Sequence, residues 1–142
     1  MKIGEVMTRS VETVRPDQSA QEAASFMLRA EAGSIPVCEE DRVIGMITDR
    51  DIAVRGVAEG RGPDCSVRDL MSEKVICARE EDSVDEVAQR MSEAQVRRIP
   101  VVDAQERLVG IVSLGDLSRE TTGQSANQAL EGVSAPGGDH RQ

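Results

Sequence analysis

Apolar and polar positions along the chain follow one plan, and that plan occurs twice. In each copy an apolar face recurs at helical spacing, and two short runs rich in Val and Ile come after it. The runs are residues 35–38 and 43–48 in the first copy, and 99–102 and 108–112 in the second. Short polar segments of turn character separate the runs. The pattern predicts a helix followed by a two-stranded hairpin in each copy.

The ends of the first helix are also marked in the sequence. Ser19 and Glu22 have the spacing of a capping box, and the same pair recurs 64 residues later. Gly33 predicts a left-handed end to this helix. Residues 10–14 alternate and are rich in β-branched side chains, which predicts a further strand before the helix. The predicted buried face of the helix comprises Ala20, Ala23, Ala24, Met27 and Leu28.

The two copies match position by position, which indicates a tandem duplication. The Ile-Pro-Val triplet of the first hairpin reappears 64 residues later. One added residue in the turn shifts the offset to 65, so Thr48 and Asp51 align with Ser113 and Asp116. A single copy would be marginal on its own, whereas two copies can share a core and form two clefts.

Changes in composition suggest where the repeats begin and end. We expect the first repeat at residues 7–58, a linker with two glycines and a proline at 59–69, and the second repeat at 70–120. Residues 121–142 are rich in Gly, Ser, Gln and Ala without an apolar period, so we expect a disordered tail. The chain's one histidine, His140, belongs to this tail.

Composition argues against several functions. A formal net charge of −9 and a single aromatic residue, Phe26, are unlike a nucleic-acid binder, which needs basic surface or stacking platforms. No apolar run approaches the roughly 20 residues that span a bilayer, and the N-terminus lacks an apolar signal core. We therefore expect a cytoplasmic protein without nucleic-acid or membrane partners.

Catalytic and metal-binding residues are also not evident in the sequence. With one histidine, the chain offers neither a Cys–His nor a Ser–His pairing, and it has no P-loop, so we expect no enzyme activity. Cys38, Cys65 and Cys77 lack the short C-x-x-C spacing of zinc sites. We expect free thiols, with Cys38 and Cys77 packed as small hydrophobes.

The Ile-Pro-Val strand, the Gly-apolar-[Thr/Ser]-x-x-Asp junction after it, and the spacing of the two resemble cystathionine-beta-synthase (CBS) domains. Two such domains in tandem form a Bateman module, and the resemblance covers about residues 7–119. It implies an α/β fold in which each repeat reads β-α-β-β-α and the two pack with pseudo-two-fold symmetry. It also implies a non-enzymatic sensor that needs no cofactor and binds AMP, ADP or ATP, or otherwise NAD or S-adenosylmethionine, between the repeats. A homodimer is implied as well, through the helices after Thr48 and Ser113.

The resemblance assigns roles in one cleft to residues of the second repeat. Asp116 would accept hydrogen bonds from ribose hydroxyls, and Ser113 with Arg98 would contact phosphate, with Arg97 as a further candidate. The chemistry is suitable, because a first-turn carboxylate takes a vicinal diol and a guanidinium fork takes phosphate oxygens. The adenine would lie near Ile111 and near segments of the other repeat at Glu12 and Ala32.

The related cleft would be built on the first repeat. Asp51 would take the ribose and Thr48 the phosphate, with the adenine near Met46, Ile76 and Val96. A hydroxyl beside the free N–H groups of a helix start favours an anion. The alternative is that both hydroxyl–carboxylate pairs are simply helix caps.

The two clefts are not equivalent in sequence. Gly33 and Ser34 stand where the second repeat has Arg97 and Arg98, so the first cleft lacks its own phosphate fork. Arg50 would partly replace it, and Glu12 would bring negative charge near the other cleft. We expect the Asp116 cleft to be the stronger nucleotide site. Two alternatives remain open: a module that dimerises and binds proteins without a ligand, and a thiol redox sensor.

Overall fold

The computed structural model describes residues 1–120, with side chains as far as Leu117. The chain divides into two compact units. The first-repeat unit is Glu12–Val75, and the second-repeat unit combines Met1–Val11 with residues 76–120. The tail expected at residues 121–142, including His140, lies outside the described residues.

Each unit contains the helix, hairpin and second helix that the sequence predicts. The first-repeat unit has α1 (Ala20–Ala30), β1 (Ser34–Glu39), β2 (Arg42–Thr48), α2 (Asp49–Asp51) continued by a π-helix (Ile52–Val57), and α3 (Val67–Leu70). The second-repeat unit has a 3-10 helix (Ile3–Glu5), α4 (Val84–Ala94), β3 (Arg98–Val102), β4 (Leu108–Ser113) and α5 (Leu114–Glu120). Both hairpins are antiparallel. The fold is mixed α/β, as predicted.

The helix start is confirmed and the helix end is corrected. Ser19 Oγ accepts the Glu22 backbone N–H at 3.1 Å, and the Glu22 side chain returns to the N-cap backbone, which completes the capping box. The left-handed residue is Glu31 (φ 52°), not Gly33. The backbone N–H groups of Glu31 and Ala32 both reach the carbonyl of Met27, so the helix has already closed before Gly33.

The strand predicted at residues 10–14 is wrong, since only Val14 pairs with β1. The Val14 N–H donates to the Pro36 carbonyl, and the Val14 carbonyl accepts the Cys38 N–H. To continue this parallel ladder toward the N-terminus, the Glu12 carbonyl would need a donor at Pro36. Proline has no N–H, so the pairing ends after one residue.

The first residues of each repeat pair with the hairpin of the other repeat. Thr8 forms a two-way backbone bridge with Ile111 on β4, and Ser72 forms the matching bridge with Met46 on β2. The beginning of the first repeat therefore belongs to the unit of the second hairpin, and the beginning of the second repeat belongs to the unit of the first hairpin. This exchange sets the boundaries of the two units.

Each unit has its own aliphatic core. In the first-repeat unit the core includes Val14, Ala23, Ile35, Val37, Ile47, Val67 and Leu70. In the second-repeat unit it includes Ile3, Val87, Met91, Ile99, Val101, Val112 and Leu117. Within residues 1–120, no helix is both long and apolar enough to span a membrane.

The predicted buried face of α1 is narrower than expected. Ala20, Ala23 and Met27 are buried, as predicted. Ala24 is exposed, and Leu28 has 80% of its surface exposed. Both positions line a surface pocket beside Ile52, so including them in the core was wrong.

Candidate functional site

In the second-repeat unit, helix α5 begins with a reciprocal pair of hydrogen bonds. The Ser113 backbone N–H donates to Asp116 Oδ2 at 2.9 Å, and the Asp116 backbone N–H donates to Ser113 Oγ at 3.2 Å. Asp116 is only 6% exposed. This capping box fixes a hydroxyl and a carboxylate at the strand-to-helix junction.

Strand pairing places an arginine beside this capping box. Arg98 is directly opposite Ser113 in the β3–β4 ladder. Residues opposite each other in an antiparallel pair project to the same face, with Cβ atoms about 4.5–5.5 Å apart. The structure therefore brings Arg98, Ser113 and Asp116 together, whereas Arg97 precedes the ladder and is exposed.

The first-repeat unit has the same capping box without the arginine. The Thr48 backbone N–H donates to Asp51 Oδ2, and the Asp51 backbone N–H donates to Thr48 Oγ1, both at 3.0 Å. The residue opposite Thr48 in the β1–β2 ladder is Ser34, which is buried. The asymmetry expected from the sequence therefore lies in the ladder position next to each capping box.

Arg55 is a residue of this site that the sequence reasoning missed. Its Nε lies 3.9 Å from Asp51 Oδ1, and its Nη1 donates to the carbonyls of Leu70 at 3.2 Å and Met71 at 3.0 Å. The i,i+4 spacing from Asp51 could have indicated it. Arg50, the substitute considered from the sequence, has an exposed side chain. The position matched to Arg55 in the second repeat is Glu120.

Two isolated backbone bridges, Thr8 with Ile111 and Ser72 with Met46, lie at predicted adenine positions. Ile111 and Thr8 exchange two backbone hydrogen bonds of 2.9 Å, and Met46 and Ser72 exchange bonds of 3.0 and 2.8 Å. The N–H groups of Ile111 and Met46 are thus occupied, while each carbonyl retains a second lone pair. Thr8 and Ser72 were not foreseen, because a local sequence pattern does not reveal which hairpin a segment borders.

The remaining predicted residues belong to different units and have different environments. Glu12 is exposed and Ala32 half-buried in the first-repeat unit, where Ala32 lines a pocket of about 570 Å³. Val96 is buried in the core of the second-repeat unit, and Ile76 is half-buried against that core.

The three cysteines are free thiols, as predicted, and Cys38 is buried. Burial raises the pKa of the Cys77 thiol to about 11, and the Glu106 carboxylate adds to the increase. Among residues 1–120, no three His, Cys, Asp or Glu side chains are grouped so that they could hold a metal ion.

The raised pKa predicts that Cys77 reacts slowly. At pH 8, a thiol with a pKa near 11 is about 0.1% thiolate, compared with about 24% for an ordinary cysteine of pKa 8.5. In timed iodoacetamide labelling read by peptide mass, Cys77 should therefore react at least tenfold more slowly in the folded chain than in the urea-unfolded chain. Equal rates in the two states would contradict this environment for Cys77.

Two matched units, each with a capping box at the strand-to-helix junction after its hairpin, define a duplicated α/β module. A family model described as the CBS domain matches residues 3–56 and 67–123. The chain belongs to the CBS-domain family and carries two copies of the domain.

Several proteins of this family are similar over nearly the full chain. CBS domain-containing protein YhcV of Bacillus subtilis is 43% identical over 133 residues, which is 93% of this chain and 94% of that protein. Hypoxic response protein 1 of Mycobacterium tuberculosis is 32% identical over 134 residues, 93% of each chain. Its crystal structure, which holds two coordinated zinc ions, covers 86% of this chain and all of that one, with a TM-score of 0.79 and 33% identity.

A solved structure with bound ligands is also similar. The CBS domain pair of protein MJ0100, in complex with 5-methylthioadenosine and S-adenosyl-L-methionine, has a TM-score of 0.75 and 31% identity. The match covers 84% of this chain and 94% of that one. This relative shows that a CBS pair of similar sequence binds adenosyl compounds.

Proposed function

We propose that this chain is a non-enzymatic regulatory module that binds an adenine nucleotide or another adenosyl ligand. The observation that carries the proposal is the grouping of Arg98, Ser113 and Asp116 at one strand-to-helix junction. It provides a cation for phosphate, a hydroxyl for a further phosphate oxygen and a carboxylate for the ribose diol. The adenosyl ligands of the MJ0100 CBS pair support the same ligand class.

The two capping boxes are proposed to differ in affinity. At the Thr48–Asp51 box, the guanidinium of Arg55 already faces Asp51 Oδ1. A ribose hydroxyl would compete there with a nearby cation. The box also has Ser34 in the ladder where the other has Arg98. The site at Asp116 is therefore the tighter one.

The capping role of each pair is compatible with ligand binding. Asp116 Oδ2 accepts one backbone N–H, and an ionised carboxylate offers about four lone-pair sites in all. The cap holds the carboxylate in place, so a bound ribose would not require the helix start to open. A fixed carboxylate loses less conformational entropy on binding than a mobile one.

A ligand panel tests the proposal. Thermal unfolding of the full chain should be measured with AMP, ADP, ATP, NAD and S-adenosylmethionine. Inosine monophosphate serves as the control, because it is a nucleotide with a different base. A ligand at 100 times its dissociation constant adds about 2.7 kcal/mol to the free energy of unfolding. At least one adenine compound should raise the midpoint more than the control does. If none of the five compounds raises the unfolding midpoint, the proposal of an adenosyl ligand is refuted, and a ligand-independent interaction module is favoured.

The proposed module also forms a homodimer, for which the resemblance implies contacts through the helices after Thr48 and Ser113. Of these two helices, the structure describes the first completely and the side chains of the second only to Leu117. The thiol redox function receives less support, because Cys38 is buried and the pKa of Cys77 is raised to about 11.

A further inference from the structure

In the first-repeat unit, the side chain of Arg55 connects three groups. Its Nη1 donates to the carbonyl of Leu70 at 3.2 Å and to the carbonyl of Met71 at 3.0 Å. Its Nε lies 3.9 Å from Asp51 Oδ1, and the Asp51 side chain is only 4% exposed. A guanidinium can make these contacts together because it carries five N–H donors in a rigid fork. Arg55 therefore connects the carboxylate of the candidate site to the end of α3.

The end of α3 leads directly into the backbone bridge on β2. Leu70 and Met71 are buried, and Ser72 follows them. The Met46 N–H donates to the Ser72 carbonyl at 3.0 Å, and the Ser72 N–H donates to the Met46 carbonyl at 2.8 Å. We call residues 70–72 the strap. Arg55 ties the strap to the helical segment that follows β2.

The π-helix that carries Arg55 lies close to the strap. Gly56 is buried in this helix, and a Cβ added there would lie 3.5 Å from Leu70 Cδ1. A π-helix is rare in proteins and often marks a functional site. Here it marks the point at which the helical segment after β2 meets the strap.

Asp51 and the two strap carbonyls share the Arg55 cation. The Arg55 side chain is 35% exposed, so its charge has lost part of its hydration. The Asp51 carboxylate offsets that loss, because opposite charges attract more strongly near a protein surface than in bulk water. A hydroxyl group that donates to Asp51 Oδ1 would take the place beside Arg55 Nε. The guanidinium would then hold the carbonyls of Leu70 and Met71 less firmly.

We infer that Arg55 makes an autoinhibitory contact, which closes the Asp51 position to a ligand hydroxyl and at the same time keeps the strap on β2. Binding at Asp51 loosens the strap, and a loosened strap favours binding at Asp51. Coupling between two equilibria is reciprocal, so the two effects have the same magnitude. The inference rests on the adenosyl ligand of the proposed function and adds a regulatory response within the first-repeat unit.

Adenosine is the probe for the first test, because it has the ribose hydroxyls without the phosphate charge. It is titrated into the full chain carrying Asp116→Asn, in which the other site is weakened. Adding Arg55→Gln should raise the adenosine affinity by about fivefold or more, the lower end of typical coupling between sites. Arg68→Gln is the control, since it removes the same charge from α3, where Arg68 pairs with Glu39 at 3.3 Å on the exposed surface. It should leave the affinity within about twofold.

Failure of the inference and failure of the proposed ligand give different results in this titration. If adenosine binds the unaltered chain but Arg55→Gln does not raise its affinity in the Asp116→Asn chain, the inference is wrong, and Arg55 only caps the carbonyls at the end of α3. If adenosine binds neither the unaltered chain nor any variant, the proposed ligand is refuted as well. Unfolding midpoints confirm that each variant is folded.

The second test needs no substitution. Amide hydrogen exchange of the unaltered chain is measured with and without saturating adenosine. The amides of Ser72 and Met46 should exchange about fivefold faster or more when adenosine is bound. The amides of Thr8 and Ile111, which form the matching bridge in the second-repeat unit, should not exchange faster. Exchange at Ser72 that is unchanged or slower with adenosine would overturn the inference.

Discussion

Replacing Gly110 by alanine is expected to destabilise the second-repeat unit by about 1–3 kcal/mol. A Cβ at this position would lie 2.6 Å from Met7 Sδ and 2.9 Å from the Thr8 backbone oxygen. The methionine side chain can move, but the Thr8 backbone is held by its two hydrogen bonds to Ile111. The added methyl group therefore pushes the exchanged N-terminal segment away from β4. Urea unfolding followed by circular dichroism measures the loss.

Two other glycines make this prediction specific. Gly45→Ala should cause a similar loss, because its Cβ would lie 2.8 Å from the Ser72 backbone oxygen in the first-repeat unit. Gly115→Ala is the control: its Cβ would meet only Ser113 Oγ at an ordinary 3.5 Å, and alanine favours the helix. Gly115→Ala should be neutral or slightly stabilising. If all three substitutions destabilised the chain equally, the close approach of the Thr8 and Ser72 backbones would not explain the glycines at positions 110 and 45.

Arg98→Ser is expected to weaken binding of a phosphorylated adenine nucleotide by about 10- to 100-fold. A hydrogen bond to a charged group contributes about 1.5–3 kcal/mol, which corresponds to that range. The residue beside the other capping box is Ser34, which is opposite Thr48 in the β1–β2 ladder. Arg98→Ser therefore gives the second repeat the residue that the first repeat has at the matched position. Isothermal titration with AMP measures the change.

The neighbouring arginine is the control for Arg98. Arg97 is exposed and lies outside the β3–β4 ladder, and its backbone carbonyl accepts the Leu114 N–H at 3.1 Å. Arg97→Ser should keep that backbone bond and reduce AMP affinity less than Arg98→Ser does. A larger effect at Arg97 would show that phosphate lies outside the ladder. If Arg98→Ser left the affinity for AMP unchanged, Arg98 would not be the residue that contacts the phosphate.

The local elements could be predicted because their causes are local. Ser19 and Glu22 satisfy the free N–H groups of a helix start, and the alternating apolar runs specify two hairpins. The repeat offset aligned Thr48 with Ser113, and both prove to be N-caps in reciprocal bonds with a carboxylate. The caps and the proposed binding residues are therefore the same residues, which is why the sequence alone left both interpretations open.

The features that were missed depend on contacts distant in sequence. The strand expected at residues 10–14 is limited by Pro36, a residue of the neighbouring strand. Thr8 and Ser72 pair with the hairpin of the other repeat, which no period within a repeat can indicate. Leu28 has helical spacing suited to the core, yet it is exposed and lines a surface pocket. Periodicity identifies the apolar face of a helix but not how much of that face its neighbours cover.

We propose that the Asp116 site binds the nucleotide more tightly than the Asp51 site. Asparagine suits a direct test, because its amide oxygen can still accept the backbone N–H of the cap while the charge is lost. It therefore separates ligand binding from helix capping better than alanine does. Asp116→Asn and Asp51→Asn make the same change at matched positions of the two repeats.

The most direct measurement is isothermal titration of AMP into the parent chain, Asp116→Asn and Asp51→Asn. We expect Asp116→Asn to lower the affinity of the tighter site at least tenfold, and Asp51→Asn to leave that site within about twofold of the parent. Unfolding midpoints without ligand confirm that both variants are folded. The opposite order, or equal effects of the two substitutions, would contradict the claim that Arg98, Ser113 and Asp116 form the stronger site.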